Sequence, residues 1–108
     1  MNVIRQMSPS EVKNVLEKNR NVRLIDVREK WEYDLAKIEN CELMPLSSFS
    51  DHLEKLKPED SLIIYCHTGV RSYHVCSFLA ENGFTNVSNL EGGIKAWSLQ
   101  VDPTVPLY

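Results

Sequence analysis

Ser61-Leu62-Ile63-Ile64-Tyr65 runs straight into Cys66-His67-Thr68-Gly69-Val70-Arg71-Ser72, and a helical pattern follows at once. That junction constrains the fold more than any other part of the chain. A short, continuous apolar run bounded by turn signals reads as a strand buried on both faces, the habit of parallel sheets. After it, Val75, Cys76, Phe78, Leu79 and Ala80 mark one face of a helix that stops near Asn82-Gly83. Cys66 then lies where a strand ends and a helix begins, the place where open α/β sheets bind ligands. Such a loop turns backbone N–H groups inward at the positive end of the helix dipole, which favours an anion at its centre. A thiolate is such an anion, so a sulfur held there is expected to be reactive.

The rest of the chain repeats the alternation. Ser8-Pro9-Ser10-Glu11 is a helix start, with Ser8 as cap, Pro9 at the first helical position and Glu11 completing a capping box. Val12, Val15 and Leu16 continue that helix to about Asn19. Val22 to Val27 reads as a buried strand, and the charged stretch from Arg28 to Asp34, with Trp31 and Tyr33, as a loop and short helix. Leu43-Met44-Pro45-Leu46 reads as a brief strand ending at proline. Ser47 or Ser48 can cap a helix carrying Phe49, Leu53 and Leu56. Val87 to Leu90 allows one more strand, and Gly92-Gly93 a tight turn into a final helix with Ile94, Ala96 and Trp97. Residues 98–108, with Pro103 and Pro106, are expected to be irregular. The alternation predicts a three-layer α/β domain over residues 1–108, with a mostly parallel central sheet flanked by helices.

Length and charge narrow the function. At 108 residues the chain has room for one core, and with 43% hydrophobic and 25% charged residues it is expected to fold. A net charge of −3 and the lack of a basic, aromatic-interleaved stripe argue against nucleic acid as a partner. No apolar run reaches membrane-spanning length. Met1-Asn2-Val3-Ile4-Arg5 lacks the apolar region of a signal peptide, so a cytoplasmic location is expected. The three cysteines, Cys41, Cys66 and Cys76, form no Cys-x-x-Cys pair, which argues against a disulfide framework or a zinc site. Cys76 falls on an apolar helix face and Cys41 near a short strand. Both read as core residues.

Three blocks resemble one family. Asp26-Val27-Arg28-Glu29 with Trp31-Glu32-Tyr33, Ile38 and Pro45 is similar to the N-terminal signature of rhodanese-like domains. Cys66 to Ser72 resembles their active-site loop, and Asn89-Leu90-Glu91-Gly92-Gly93-Ile94-Lys95-Ala96-Trp97 their C-terminal signature. The blocks stand in family order and cover nearly all of the chain before the tail. Ala36-Lys37 replaces a common Gly-His, and Cys41 stands where alanine is usual, departures that bear on local packing.

The resemblance implies a single-domain sulfurtransferase without a cofactor or a metal. It would take a sulfane sulfur from a small anionic donor such as thiosulfate, hold it as a Cys66 persulfide, and pass it to a thiol or protein acceptor, or to cyanide in an assay. His67, Thr68, Gly69, Val70, Arg71 and Ser72 would cradle the sulfur. In chemical terms, the thiolate attacks the donor's outer sulfur and sulfite leaves. The persulfide is still an anion, now one atom longer, and donors already in place lower the barrier for both forms. Turnover is then ping-pong. Gly69 permits a positive φ or a close backbone approach, and Ser72 reads as a helix cap. His67 reads as shaping the entrance. Arg71 has two readings: a guanidinium holding the anionic donor, or a structural salt bridge to Asp26 or Glu29. Asp26 and Arg28, at the end of a neighbouring strand, read as supports for the rim.

Two rival functions stand beside this one. Cysteine phosphatases and arsenate reductases also place a cysteine in an anion-binding loop, but with five residues before the arginine. Here four, His67 to Val70, separate Cys66 from Arg71, a ring better suited to one sulfur atom. A non-catalytic rhodanese-like binding module is the other, and the presence of Cys66 in an intact loop argues against it.

Overall fold

The computed structural model describes residues 4–108, so the first three residues of the stretch read for a leader lie outside the described residues. The chain runs β1 (Arg5–Met7), α1 (Pro9–Lys18), β2 (Arg23–Asp26), α2 (Lys30–Leu35), β3 (Glu42–Leu43), α3 (Phe49–His52), β4 (Leu62–Tyr65), α4 (Val70–Glu81), β5 (Val87–Leu90) and α5 (Gly93–Gln100). Single 3-10 turns, Leu46–Ser48 and Leu53–Lys55, flank α3. The five strands form one parallel sheet in the order β1-β5-β4-β2-β3.

Strand β4 is central because all four of its residues are buried. Its side chains alternate between faces, as a pleated strand requires. Leu62 and Ile64, followed by Cys66, join a core with Phe49, Val75, Cys76 and Leu79, under α3 and α4. Ile63 and Tyr65 join a second core with Val12, Leu90, Ile94 and Trp97, under α1 and α5. Burying both faces of the sheet yields the three layers expected from the sequence. The chain after β4 leaves toward the first core. The chain after the adjacent β2 passes through α2 to Ala36 and Ile38 in the second. Neighbouring strands whose connections part to opposite faces leave a crevice at their C-terminal ends, where open α/β sheets place ligands.

Four elements differ from the sequence reading. β3 is Glu42–Leu43 rather than Leu43 to Leu46, and of the helix read through Phe49, Leu53 and Leu56 only Phe49–His52 is α-helical, with no serine side chain capping it. β1 is an additional strand, pairing Arg5 with Ser88 and Met7 with Leu90 at the sheet edge. Three residues, of which only Met7 is buried, carry too little alternation to read. The tail expected to be irregular from residue 98 is instead helical through Gln100. Ser98 is buried there, its hydroxyl donating to the Val105 carbonyl at 2.6 Å. Val105 enters the second core and Val101 packs against it, so the tail is anchored to the domain at these two residues. The start of α1 follows expectation: Ser8 Oγ accepts from the Glu11 N–H, and the Glu11 carboxylate from the Ser8 N–H.

Candidate active site

Cys66 follows directly on β4 and is 1% exposed. Its Sγ accepts the N–H groups of Gly69 at 3.1 Å and Ser72 at 3.4 Å, and lies 3.3 Å from the Ser72 hydroxyl. The turn that allows this has Gly69 at φ 99°, capping α4, so Ser72 is not the helix cap the sequence suggested but lies inside the first turn, its hydroxyl turned to Cys66 and Asn89. A side chain there is strained, and its Cβ would press on the Gly92 nitrogen at 3.2 Å. Of the loop amides, those of Gly69 and Ser72 reach the sulfur. Helix α5 fastens the start of the loop from below, with Ile94 N–H donating to the Cys66 carbonyl at 2.9 Å and Lys95 N–H to that of His67 at 3.1 Å. Gly93 permits this approach, since a Cβ on it would collide with the His67 carbonyl.

The other two cysteines have different surroundings. Burial pushes the Cys76 thiol up to about 12, with the nearby Cys66 adding to the effect, and Cys76 packs fully enclosed in the first core. Burial also raises the Cys41 thiol, near the Tyr65 hydroxyl.

Arg71 does not aim a free guanidinium at the loop. Its Nη1 and Nη2 donate to the two oxygens of Glu32 at 2.7 and 2.8 Å. A salt bridge was one of the two sequence readings, but its partner is neither Asp26 nor Glu29. Glu32 sits in the first turn of α2, where it also accepts the Glu29 N–H at 3.0 Å, and that turn faces the start of α4. Parallel charge-assisted bonds of this kind are strong and geometrically exacting. The Arg71 hydrogen bonds hold the Glu32 carboxyl at about 2, outweighing the burial that acts the other way.

Tyr108 completes this side of the site. Its hydroxyl accepts from Arg28 Nη1 at 2.9 Å and donates to Glu32 Oε1 at 3.1 Å. Its ring stacks on His67, with centroids 4.1 Å apart and 17° between planes, and Trp31 meets it edge-on at 6.3 Å.

Asp26 and Arg28 lie behind this wall, with no exposed surface. Arg28 donates Nε and Nη2 to the Asp26 carboxylate at 3.0 and 2.8 Å, and Nη2 also to the Ala36 carbonyl at 2.6 Å. Asp26 further accepts the Arg28 N–H and the Tyr65 hydroxyl, each at 2.9 Å. The pair ties β2, β4 and the end of α2 together.

Thr68 and Val70 expose their side chains. On the side away from Tyr108, a cavity of about 330 Å³ opens beside the loop, lined by Gln6, Thr68, Tyr73, His74, Asn89 and Glu91. Sequence reasoning missed Glu32, Asn89 and Tyr108 as site residues. The first two stand inside recognisable blocks, and Glu32 carries the further signal of a capping position three residues after Glu29.

Known proteins bear on this arrangement. A family model described as the rhodanese-like domain matches residues 8–100. The chain is 35% identical over 104 residues to a probable adenylyltransferase/sulfurtransferase, MoeZ, of Mycobacterium tuberculosis, covering 94% of this chain and 26% of that protein. It therefore spans about a quarter of that relative's length. It is 32% identical to the putative sulfurtransferase YtwF of Bacillus subtilis, covering 93% of this chain and 96% of the relative. A crystal structure of a rhodanese-like domain protein from Staphylococcus aureus superposes with a TM-score of 0.82 at 30% identity, covering 97% of this chain and 99% of the other.

Proposed function

The chain belongs to the rhodanese-like domain family, and on that premise we propose that it is a sulfurtransferase working through a Cys66 persulfide. One observation carries the proposal: the Cys66 sulfur is ringed by the Gly69 and Ser72 amides and the Ser72 hydroxyl. Relatives named as sulfurtransferases support sulfur transfer as the general activity.

Cys66 thiolate attacks the outer sulfur of a sulfane donor. With thiosulfate, the S–S bond breaks, its electron pair leaves on sulfite, and the outer sulfur stays on Sγ as a persulfide. An acceptor nucleophile then attacks that outer sulfur and the electron pair returns to Sγ. Amide donors fixed before the reaction favour the sulfur anion without reorganising water. The Gly69 and Ser72 donors supply this, and α5 holds the loop that carries them. In the cell, a thiol or protein thiol is the proposed acceptor, and the cytoplasm, where thiols stay reduced, the proposed compartment.

Intact mass after incubation with thiosulfate tests the proposal. The wild-type protein is expected to gain one sulfur atom, Cys66→Ser none, and cyanide to remove the added sulfur as thiocyanate. Failure to gain sulfur from thiosulfate and from low-molecular-weight persulfides alike would sink the proposal. Turnover of a phosphotyrosine mimic that vanishes in Cys66→Ser would put a phosphatase in its place.

A further inference from the structure

Ser72 carries one hydroxyl hydrogen and faces two acceptors. Its Oγ is 2.5 Å from Asn89 Oδ1 and 3.3 Å from Cys66 Sγ. Asn89 is 1% exposed on β5, and its amide can face only one way. Its Nδ2 donates to the Gly69 carbonyl at 3.1 Å and to Gln6 Oε1 at 3.0 Å, which leaves Oδ1 directed at Ser72. A hydrogen bond this short to a fixed acceptor draws the hydroxyl hydrogen away from the sulfur. The hydroxyl can donate to Sγ only by turning off Asn89, and the buried Oδ1 then lacks its donor.

We infer that Asn89 is a positioning residue for the Cys66 sulfur, acting through the Ser72 hydroxyl. The inference rests on the persulfide cycle above. While negative charge sits on Sγ, as in the thiolate, the hydroxyl donates to Sγ. When charge moves to the outer sulfur of the persulfide, Sγ needs that donor less, and the hydroxyl returns to Asn89. No proton changes owner and no bond is made or broken; the hydroxyl only rotates. By offering the hydrogen a second place, Asn89 shifts the balance from the thiolate toward the persulfide. The same amide steadies the Gly69 carbonyl, and Gly69 supplies the shortest donor to the sulfur.

Asn89→Leu removes the competing acceptor at similar size. The Gly69 carbonyl keeps a partner in the Tyr73 N–H at 3.2 Å. With the hydroxyl left to the sulfur alone, Cys66 should be alkylated by iodoacetamide about three- to tenfold faster at neutral pH. The Cys66 persulfide should discharge to cyanide faster by a similar factor. Asn89→Asp, a stronger acceptor beside the hydroxyl, should slow alkylation. In a Ser72→Ala background, Asn89→Leu should change neither rate, because no hydroxyl remains to redirect. Rates that match the wild type, or that shift equally with and without the Ser72 hydroxyl, would overturn the inference and leave Asn89 a packing residue. Alkylation needs no sulfur donor. A wild-type protein that takes up no sulfur would therefore defeat the sulfurtransferase proposal, while the alkylation comparison still decides on Asn89.

Discussion

Glu32 closes both of its oxygens on both terminal nitrogens of Arg71, across 39 residues of sequence. Engaged in this way, Arg71 supports the wall of the site more than it grips a substrate. Arg71→Ala should therefore leave the thiosulfate KM within about threefold of wild type while costing about 2–4 kcal/mol in urea unfolding, since it leaves a buried carboxylate short of its counter-ion. A tenfold rise in KM with unchanged stability would show that the guanidinium meets the donor.

The same pair sets an acid limit. The Glu32 carboxyl is held at about 2 against an ordinary 4.5, chiefly by the Arg71 hydrogen bonds. A carboxyl depressed in the folded state stabilises fully above its unfolded value, and that contribution fades as pH falls toward the folded one. Between about pH 4.5 and pH 2 the protein should lose about 2–3 kcal/mol from this group. Denaturant melts across that range should show the loss in wild type and a flatter profile in Glu32→Gln.

Asp26 and Arg28 are both wholly buried. Asp26→Ala leaves the Arg28 guanidinium buried and unpaired, and should cost about 3–5 kcal/mol. Replacing both by apolar residues should cost less than Asp26→Ala alone, which a double-mutant cycle would read directly.

Gly93 is where α5 meets the Cys66 loop. Gly93→Ala places a methyl against the His67 carbonyl at a backbone φ of 63°, so the loop must move or the helix must retreat. A loss of about 3 kcal/mol or more is expected, with slower persulfide formation in whatever fraction stays folded. Gly83, whose Cβ would meet open space, provides a control with backbone strain but no collision.

Cys76 separates burial from reactivity. Its thiol, pushed up to about 12 inside the first core, should resist iodoacetamide in the folded protein. Cys76→Ala should take up sulfur from thiosulfate as the wild type does, and lose about 1–2 kcal/mol through the small cavity left behind. Sulfur found on Cys76 by peptide mapping would contradict this assignment.

What could be read from the letters is what neighbouring letters decide. Ser8, Pro9 and Glu11 lie within one turn and their bonds are local, so the start of α1 is legible. Leu62 to Tyr65 is apolar throughout, and its position at the sheet centre follows. The three blocks resembling the rhodanese-like family carry the parallel architecture and the loop at Cys66. The lines that join the site are of another kind. Tyr108 reaches Arg28 across 80 residues, and Asn89 reaches Ser72 across 17. No period or propensity marks such pairs. Tyr108 also follows Pro103 and Pro106, which read as irregular chain, and Arg71 had several acidic residues to choose from. Only the packing of α2 against the first turn of α4 selects Glu32 among them.

Tyr108 stacked on His67 has a practical consequence for anyone who handles this protein. A purification tag or fused partner attached after residue 108 would emerge beside His67, the residue next to Cys66, and would crowd the mouth of the loop that carries the sulfur. Since all five strands run the same way, residue 5 enters the sheet at the end opposite Cys66. A difference in activity between front-tagged and back-tagged preparations would report on the His67–Tyr108 contact itself.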